Sequence, residues 1–413
     1  MPRFVGYLFF ILLATAILTS VHYYLYRRLV RDTALPPRLA RILKILLITA
    51  GISLPAAMIL GRVDLVPFRA ALVWPAFLWM GLMFLFFSLL LISELFRAGY
   101  LFAKKPSSAD PAKSEARRVF LSRAIALPVA VGATTLGGIG LAHALRPPRL
   151  RKVRVPLPRL PKALTGMTLA QITDLHVGQT VRRDYVEAVV NRINALSPDA
   201  VVITGDLVDG SVEELAQHVA PLGGLKSKFG TFFVTGNHEY YSGALPWIAH
   251  LQSLGIKVLR NERVTLGQGD DVIDLLGVDD SGKNHPLMAQ GHGADVAKAA
   301  AGADPSHAKI LLAHQPKEVR EAVKYGIDLQ LSGHTHGGQL WPWGYLVGLT
   351  QPYLSGLHQH DGKTWIYVSC GTGYWGPPMR IGTTAEITHI ELSCDGPSQV
   401  VYADDPYPGN SLA

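Results

Sequence analysis

The stretch Gln171-Ile-Thr-Asp-Leu-His-Val-Gly178 sets an aspartate and a histidine two residues apart, directly behind the apolar run 167–172. The pattern recurs along the chain: Gly205-Asp206-Leu-Val-Asp209 follows the run 200–203, and Gly236-Asn237-His238-Glu239 follows residues 231–235. His314 closes the run 309–313, and Gly333-His334-Thr-His336-Gly337 follows residues 327–331. Carboxylate and amide oxygens mixed with imidazoles suit Mn²⁺, iron or Zn²⁺, and the lack of thiolate argues against a structural zinc. Two such ions need about seven or eight ligand positions with one carboxylate shared, and they lower the pKa of a shared water. Singly, each residue has a plainer reading, the aspartate as a turn or helix cap and the histidine as a satisfied polar residue. Seven of them on successive strand ends, Asp174, His176, Asp206, Asn237, His314, His334 and His336, exceed what capping accounts for.

The elements that must position these residues follow from the apolar spacing. Uninterrupted apolar runs read as strands buried on both faces, so the polar residues fall where strands of an open sheet stop and ligands bind. Val186, Val189, Val190, Ile193 and Leu196 lie on one helical face and predict a helix over 185–196, ended by Ser197-Pro198. Further helices are expected over 212–219, 244–254, 294–301 and 318–325. Shorter strands are expected over 257–259, 263–266, 273–278, 365–369 and 385–392. Alternating helices and strands, with hairpin-like pairs in the middle and at the end, predict an α/β fold of two facing mixed β-sheets flanked by helices. The catalytic domain is expected over 164–393 and an irregular tail over 394–413.

Taken together, Asp174-x-His176, Gly205-Asp206-x-x-Asp209, Gly236-Asn237-His238-Glu239, His314 and Gly333-His334-x-His336 resemble the signature of the calcineurin-like metallophosphoesterases in order and spacing. The resemblance covers about residues 165–393. The run Gly-His-Thr-His-Gly-Gly-Gln339 and the apolar N-terminus resemble a bacterial branch of exported, membrane-associated members, some of which cleave the pyrophosphate of lipid A precursors. The resemblance implies that Asp174, His176, Asp206 and His336 hold one divalent ion. Asp206 would then bridge to a second ion completed by Asn237, His314 and His334. It further implies in-line attack on phosphorus by the shared hydroxide. His238 would be no ligand but would stabilise the transition state or protonate the leaving oxygen, help worth roughly 10²–10⁴-fold. Asp209 either orients His238 or caps the helix behind it, and Arg380 either forks onto a phosphate or is structural. His218, His250, His285, His292 and His307 lie outside any motif and are expected as surface or core residues.

Charge divides the chain. Residues 1–163 carry 23 Lys and Arg against 5 Asp and Glu, a net of +18, whereas residues 164–413 carry 16 against 26, a net of −10. The basic residues flank apolar runs instead of forming a patch on the domain, which argues against a nucleic-acid partner. Four uncharged runs, 4–26, 45–61, 70–93 and 124–145, give four expected transmembrane helices within 1–145. The second is the shortest and contains Pro55. Residues 146–163 are expected as a basic, Pro-rich linker.

The first loop holds Arg27, Arg28, Arg31, Arg38, Arg41 and Lys44, and the third holds Arg97, Lys104, Lys105, Lys113, Arg117, Arg118 and Arg123. The second has only Arg62 and Arg69, partly offset by Asp64. Placing the two rich loops in the cytoplasm puts the catalytic domain on the extracytoplasmic side of a multi-pass membrane protein. The basic residues of 146–163 pull the other way. Arg117-Arg-Val-Phe-Leu-Ser-Arg123 resembles a twin-arginine export signal, though it follows three spans; ordinary positive-inside charge is the plainer reading and gives the same direction. Cys370 and Cys394 fit no metal pattern, and free thiols are a plainer reading than a disulfide.

Residues 340–357 carry two Trp, two Tyr and five Leu with no charge, close behind the histidine pair. They read either as an apolar lip for a lipid-linked or aromatic substrate or as a loop folded onto the core. The expected function is a dinuclear metal-dependent hydrolase of phosphoric esters or pyrophosphates at a bilayer, with two Mn, Fe or Zn ions and a lipid-linked or small phosphoester substrate. A phosphomonoesterase or protein phosphatase for polar substrates would have a wet cleft without a lip. A silent membrane sensor would be expected to lack a ligand, and none is missing here.

Overall fold

The computed structural model describes residues 2–60, 69–103, 111–280 and 290–402. Arg62, Asp64, Lys104, Lys105, His285 and the tail from 403 onward lie outside them. The chain divides into two compact units, Met1–Leu141 with Gly376–Pro378, and Ala142–Trp375 with Met379–Ala413.

The first unit is helical: α1 (Pro2–Tyr26), a π-helical turn Arg27–Arg31, α2 (Pro37–Leu60), α3 (Arg69–Ala103) and the bulk of α4 (Pro111–Leu145). Among the described residues three segments are long and apolar enough to cross a membrane, Pro37–Ile59, Ala70–Gly99 and Glu115–Leu145. The run 4–26 lies within α1 and is not one of these three. The short run at 45–61 gains length because α2 starts at Pro37 and continues through Pro55. Arg123 donates from Nε to Thr33 O at 2.8 Å and from Nη2 to Ala34 O at 2.9 Å. Arg28 pairs with Glu94, and with Asp32 at 3.1 Å. These bonds join the turn after α1 to Glu94 on α3 and to Arg123 on α4.

The second unit is a pair of mixed sheets. Its strands are β1 (Arg149–Pro156), β2 (Thr168–Ile172), β3 (Ala200–Ile203), β4 (Thr231–Phe233), β5 (Lys257–Val258), β6 (Glu262–Gln268), β7 (Asp271–Gly277), β8 (Ala308–Leu312), β9 (Leu329–Ser332), β10 (Gly356–His360), β11 (Thr364–Val368), β12 (Glu386–Ser393) and β13 (Gln399–Tyr402). They form one sheet in the order β13-β1-β12-β2-β3-β4-β5 and another in the order β10-β11-β9-β8-β7-β6. In each sheet the central strands that feed the site, β2-β3-β4 and β8-β9, run parallel. Helices α5 (Arg183–Leu196), α6 (Val212–Val219), α7 (Asn237–Ser242) and α8 (Ala244–Ser253) follow the first-sheet strands, and α9 (Val296–Ala300), α10 (Val319–Ala322) and α11 (Gly344–Val347) belong to the second half.

Side chains alternate across each strand, and both faces are covered. Leu169, Val202 and Phe232 meet Ile310, Leu312 and Leu331 between the sheets. Ala170, Ile172, Val201 and Ile203 turn instead toward Val189, Ile193, Leu215 and Trp247 of the helices. Leu311 turns away from the inter-sheet core onto Val296 and Ala322. Near the strand ends a polar tie joins the sheets: Gln171 Nε2 donates to Thr204 Oγ1 at 3.0 Å and to Ser332 O at 3.1 Å.

Residues 146–163, expected as a basic, Pro-rich linker, contain β1, paired in parallel with β12 and antiparallel with β13. Leu150, Val153 and Val155 are buried there, and the charges between them mask the alternation in the sequence. Arg151 is buried too, with its Nε 3.2 Å from Glu386 Oε2. Residues Gln399–Tyr402 form β13.

Candidate metal centre

Each loop that carries a candidate ligand begins where a central strand stops. Asp174 and His176 follow β2, Asp206 follows β3, Asn237 opens α7 behind β4, His314 follows β8, and His334 and His336 follow β9. Asp174, His176, Asp206, His334 and His336 all have positive φ, between 49° and 70°. Non-glycine residues adopt this left-handed conformation at a cost of roughly 1–3 kcal/mol each, and such strain persists only where surrounding contacts over-determine it. The glycines beside them leave room: a Cβ on Gly236 would run into the Asp206 carboxylate, and one on Gly333 into Asp174 Oδ2 and Thr173 Oγ1.

The side chains gather into two adjoining groups. In the first, His176 Nε2 lies 3.1 Å from His336 Nε2, and Asp174 Oδ1 lies 3.4 Å from His336 Nε2. In the second, His314 Nε2 lies 3.1 Å from Asp206 Oδ2 and 3.1 Å from His334 Nδ1. Asp206 Oδ2 is also 3.9 Å from His176 Nε2, so one carboxylate oxygen faces both groups. Asn237 Oδ1 is buried without a hydrogen-bond partner. Buried polar atoms are rarely left so, and an amide oxygen there is a natural cation ligand. The tautomers agree: His314 Nδ1 is 2.8 Å from the Thr204 carbonyl, which leaves Nε2 free to ligate.

Electrostatics place positive charge in both groups. Burial opposes protonation of His176, but the carboxylates of Asp209, Asp206 and Asp174 outweigh it and raise its pKa to about 9. His314 is likewise raised to about 10 against burial by Asp206, Asp174 and Asp280. Burial and the neighbouring His314 lower His334 to about 3, and burial with His176 and Arg380 keeps His336 well below its usual value. One cationic position per group is what the carboxylates favour. The donor set and charge fit two divalent ions.

The surrounding residues decide several alternatives. Asp209 Oδ1 accepts from His238 Nδ1 at 2.6 Å and lies 3.0 Å from His176 Nδ1. It does not cap α6, because Ser211 and Glu214 form that capping box. The Arg380 guanidinium is fully buried and donates to the carbonyls of Gly373 at 3.1 Å and Cys370 at 2.8 Å, so it fastens the 370–373 loop and does not face a phosphate. Both cysteines are free. His292 hydrogen-bonds Tyr240 at 3.0 Å, His218 lies 2.7 Å from Arg182 Nη1, and neither joins the site.

Sequence reasoning missed the part played by Glu239. Its buried carboxylate accepts from the backbone N–H of Gly236 at 2.6 Å, Asp206 at 3.0 Å and Leu207 at 2.7 Å. The Gly-x-x-Glu spacing of a helix N-terminal capping box was the available signal. Beside His238 lie the rings of Tyr241 and Trp375, 5.3 and 5.8 Å away. Of the segment 340–357, Leu340 is buried, whereas Trp341, Trp343, Tyr345, Leu346 and Leu349 are exposed.

A two-sheet α/β fold whose strand ends carry two adjoining oxygen and imidazole clusters defines a metal-dependent phosphoesterase. The family model for calcineurin-like phosphoesterases matches residues 167–338. The chain is 41% identical over 313 residues to the transmembrane protein with metallophosphoesterase domain of Bos taurus, covering 74% of this chain and 70% of that one. It is 36% identical over 250 residues to an uncharacterized metallophosphoesterase of Aquifex aeolicus, covering 60% of this chain and 93% of that one. The chain belongs to the calcineurin-like phosphoesterases, with its catalytic domain fused to a membrane-associated region.

Proposed function

We propose that this protein hydrolyses a phosphoester or pyrophosphate carried on a lipid, at the extracytoplasmic face of its membrane. Asp174, His176 and His336 would hold one ion, His314, His334 and Asn237 the other, with Asp206 shared between them. When bound, two such ions supply Lewis acidity and lower the pKa of a water. Four imidazole nitrogens beside three oxygen ligands suit Mn²⁺, iron or Zn²⁺. Asp209 holds His238 by Nδ1, which turns Nε2 toward the cleft, 4.0 Å from Asp206 Oδ2. From there His238 delivers a proton to the leaving oxygen, and the Asp209 carboxylate stabilises the imidazolium before transfer.

The observation that carries the lipid reading is the uncharged, exposed Trp341, Trp343, Tyr345, Leu346 and Leu349, on a chain with three candidate spans. The segment is fastened to the ligand loops: Thr335 Oγ1 donates to Leu354 O at 2.6 Å, and Gln351 Nε2 to Gln315 Oε1 at 3.3 Å. Each lipid methylene buried against it contributes about 0.8 kcal/mol, so a few suffice for selectivity. The test compares kcat/KM, with Mn²⁺ present, on a lipid-tailed substrate and its tail-less headgroup, before and after replacing Trp341, Trp343 and Leu346 with serine. The replacements should remove most of the preference for the tail; equal rates on both substrates in the unmodified enzyme would refute the lipid reading. The outward orientation rests on the Lys/Arg asymmetry of the loops. Protease added to intact spheroplasts should digest the catalytic domain, and full protection would reverse the orientation.

A further inference from the structure

We propose that Tyr241 and Trp375 form a leaving-group subsite that takes the face of a ring, with Gln339 as the residue that positions it. This rests on the reading of His238 as the group beside the leaving oxygen. The Tyr241 ring lies 5.3 Å from the His238 ring at an interplanar angle of 68°, and the Trp375 ring lies 5.8 Å away at 75°. Tyr241 is 75% exposed and Trp375 50%. Two large aromatic side chains in contact with one imidazole therefore remain open to solvent next to the strand ends.

Both are held in place. Tyr241 sits on α7, whose first turn carries Asn237 and the Glu239 carboxylate that binds three backbone N–H groups. The Trp375 backbone is gripped at both polar groups by one side chain: Gln339 Nε2 donates to Trp375 O at 2.8 Å, and Trp375 N donates to Gln339 Oε1 at 2.9 Å. Gln339 has φ 39°, in the region that favours glycine. A glutamine persists there because its amide ties the loop after the histidine pair to the loop after β11. Exposed aromatics on a fixed backbone provide a preorganised surface, which lowers the ordering cost of binding.

The position selects the occupant. Atoms next to His238 belong to the first part of the leaving alcohol, and aromatic rings gain most from another ring face in offset or edge-on contact. An alkyl tail finds a longer apolar surface along Trp341, Trp343, Leu346 and Leu349. The subsite therefore fits a leaving alcohol that carries a nucleoside or sugar ring within a few bonds of its oxygen.

The test uses full-length, Mn²⁺-loaded protein in detergent and three methyl phosphodiesters that share a primary-alcohol oxygen, those of thymidine (5′), glucose (6) and n-hexanol. Alcohol release is measured for each. The wild-type protein should prefer a ring alcohol over hexanol by about tenfold in kcat/KM. Trp375→Ala and Tyr241→Ala should each reduce that ratio severalfold with two metals still bound. Thymidine alone preferred assigns the subsite to a nucleobase, and both rings preferred assigns it to a ring face in general. Gln339→Glu, which cannot donate to the Trp375 carbonyl, should raise KM for the ring ester more than it lowers kcat. A ratio near one, or a preference for hexanol lost on Trp375→Ala, overturns the proposal. A binding arm separates it from the hydrolase reading: calorimetry with the corresponding phosphonates should give the same order of affinity. That order without turnover of any ester would keep the subsite and sink the hydrolase, whereas turnover with no order in either measurement would do the reverse.

Discussion

Replacing Glu239 with glutamine perturbs one oxygen of a residue that touches no substrate. Oε2 accepts from Asp206 N and Gly236 N, and Oε1 from Leu207 N. The amide in Glu239→Gln would keep one oxygen, so at least the Leu207 N–H would face an NH₂ group inside a fully buried site. An unsatisfied buried donor costs about 1–3 kcal/mol, which for a domain of this size lowers Tm by about 2–12 °C. The Asp206 N–H is part of the same clamp, and its carboxylate faces both clusters. Both ions should therefore bind about tenfold more weakly, at the lower end of what supporting residues around a metal contribute. The pH dependence has a definite sign. Burial, followed by the nearby Asp206 charge, raises Glu239 from the ordinary 4.5 to about 7. Between these values the folded metal-free protein binds more protons than the unfolded chain, so this group's contribution to stability falls as pH rises through that window. Glu239→Gln should flatten that slope. Thermal melts of the metal-free protein from pH 4.5 to 7.5, with metal titration of each form, measure all three effects. Wild-type Tm and wild-type affinity for both ions would refute the reasoning.

Asp209→Asn keeps an acceptor but loses the charge that orients His238 and His176, and kcat should fall about 10²–10³-fold with metal affinity down by no more than about tenfold. Unchanged kcat would remove Asp209 from the mechanism. Burial, then the Glu386 charge, raises the Cys370 thiol to about 11. The fold thus favours the neutral thiol, its contribution is lost as pH rises from about 9 to about 11, and alkylation at pH 8 followed by mass mapping should label Cys394 first.

The residues that gather in the two candidate clusters could be picked out because they stand close behind apolar runs, as His314 does behind 309–313. Helix α5 was legible for a similar reason, its Val186, Val189 and Ile193 repeating at helical spacing. Strand β1 was not, because Arg149, Arg151, Lys152 and Arg154 dominate its composition and the Glu386 carboxylate that pairs with Arg151 lies far along the chain. Strand β10, Gly356-Leu-His-Gln-His360, is a half-buried edge strand whose polar residues gave no run to read. Gln339 acts through the backbone of another loop, a pair of bonds that leaves no pattern in residue type, whereas Glu239 left only the Gly-x-x-Glu spacing of a capping box. Arg380 had two sequence readings, and only the carbonyls of 370–373 around it decide between them.

The most direct test of the two-ion account is metal analysis of three proteins, wild type, Asp206→Asn and His238→Ala, each paired with turnover on one phosphodiester. The account predicts two ions per chain in the wild type and loss from both positions in Asp206→Asn, whose Oδ2 faces both clusters. His238→Ala should keep both ions while turnover falls roughly 10²–10⁴-fold. Equal depletion of metal in the two variants, or a single ion in the wild type, would contradict it.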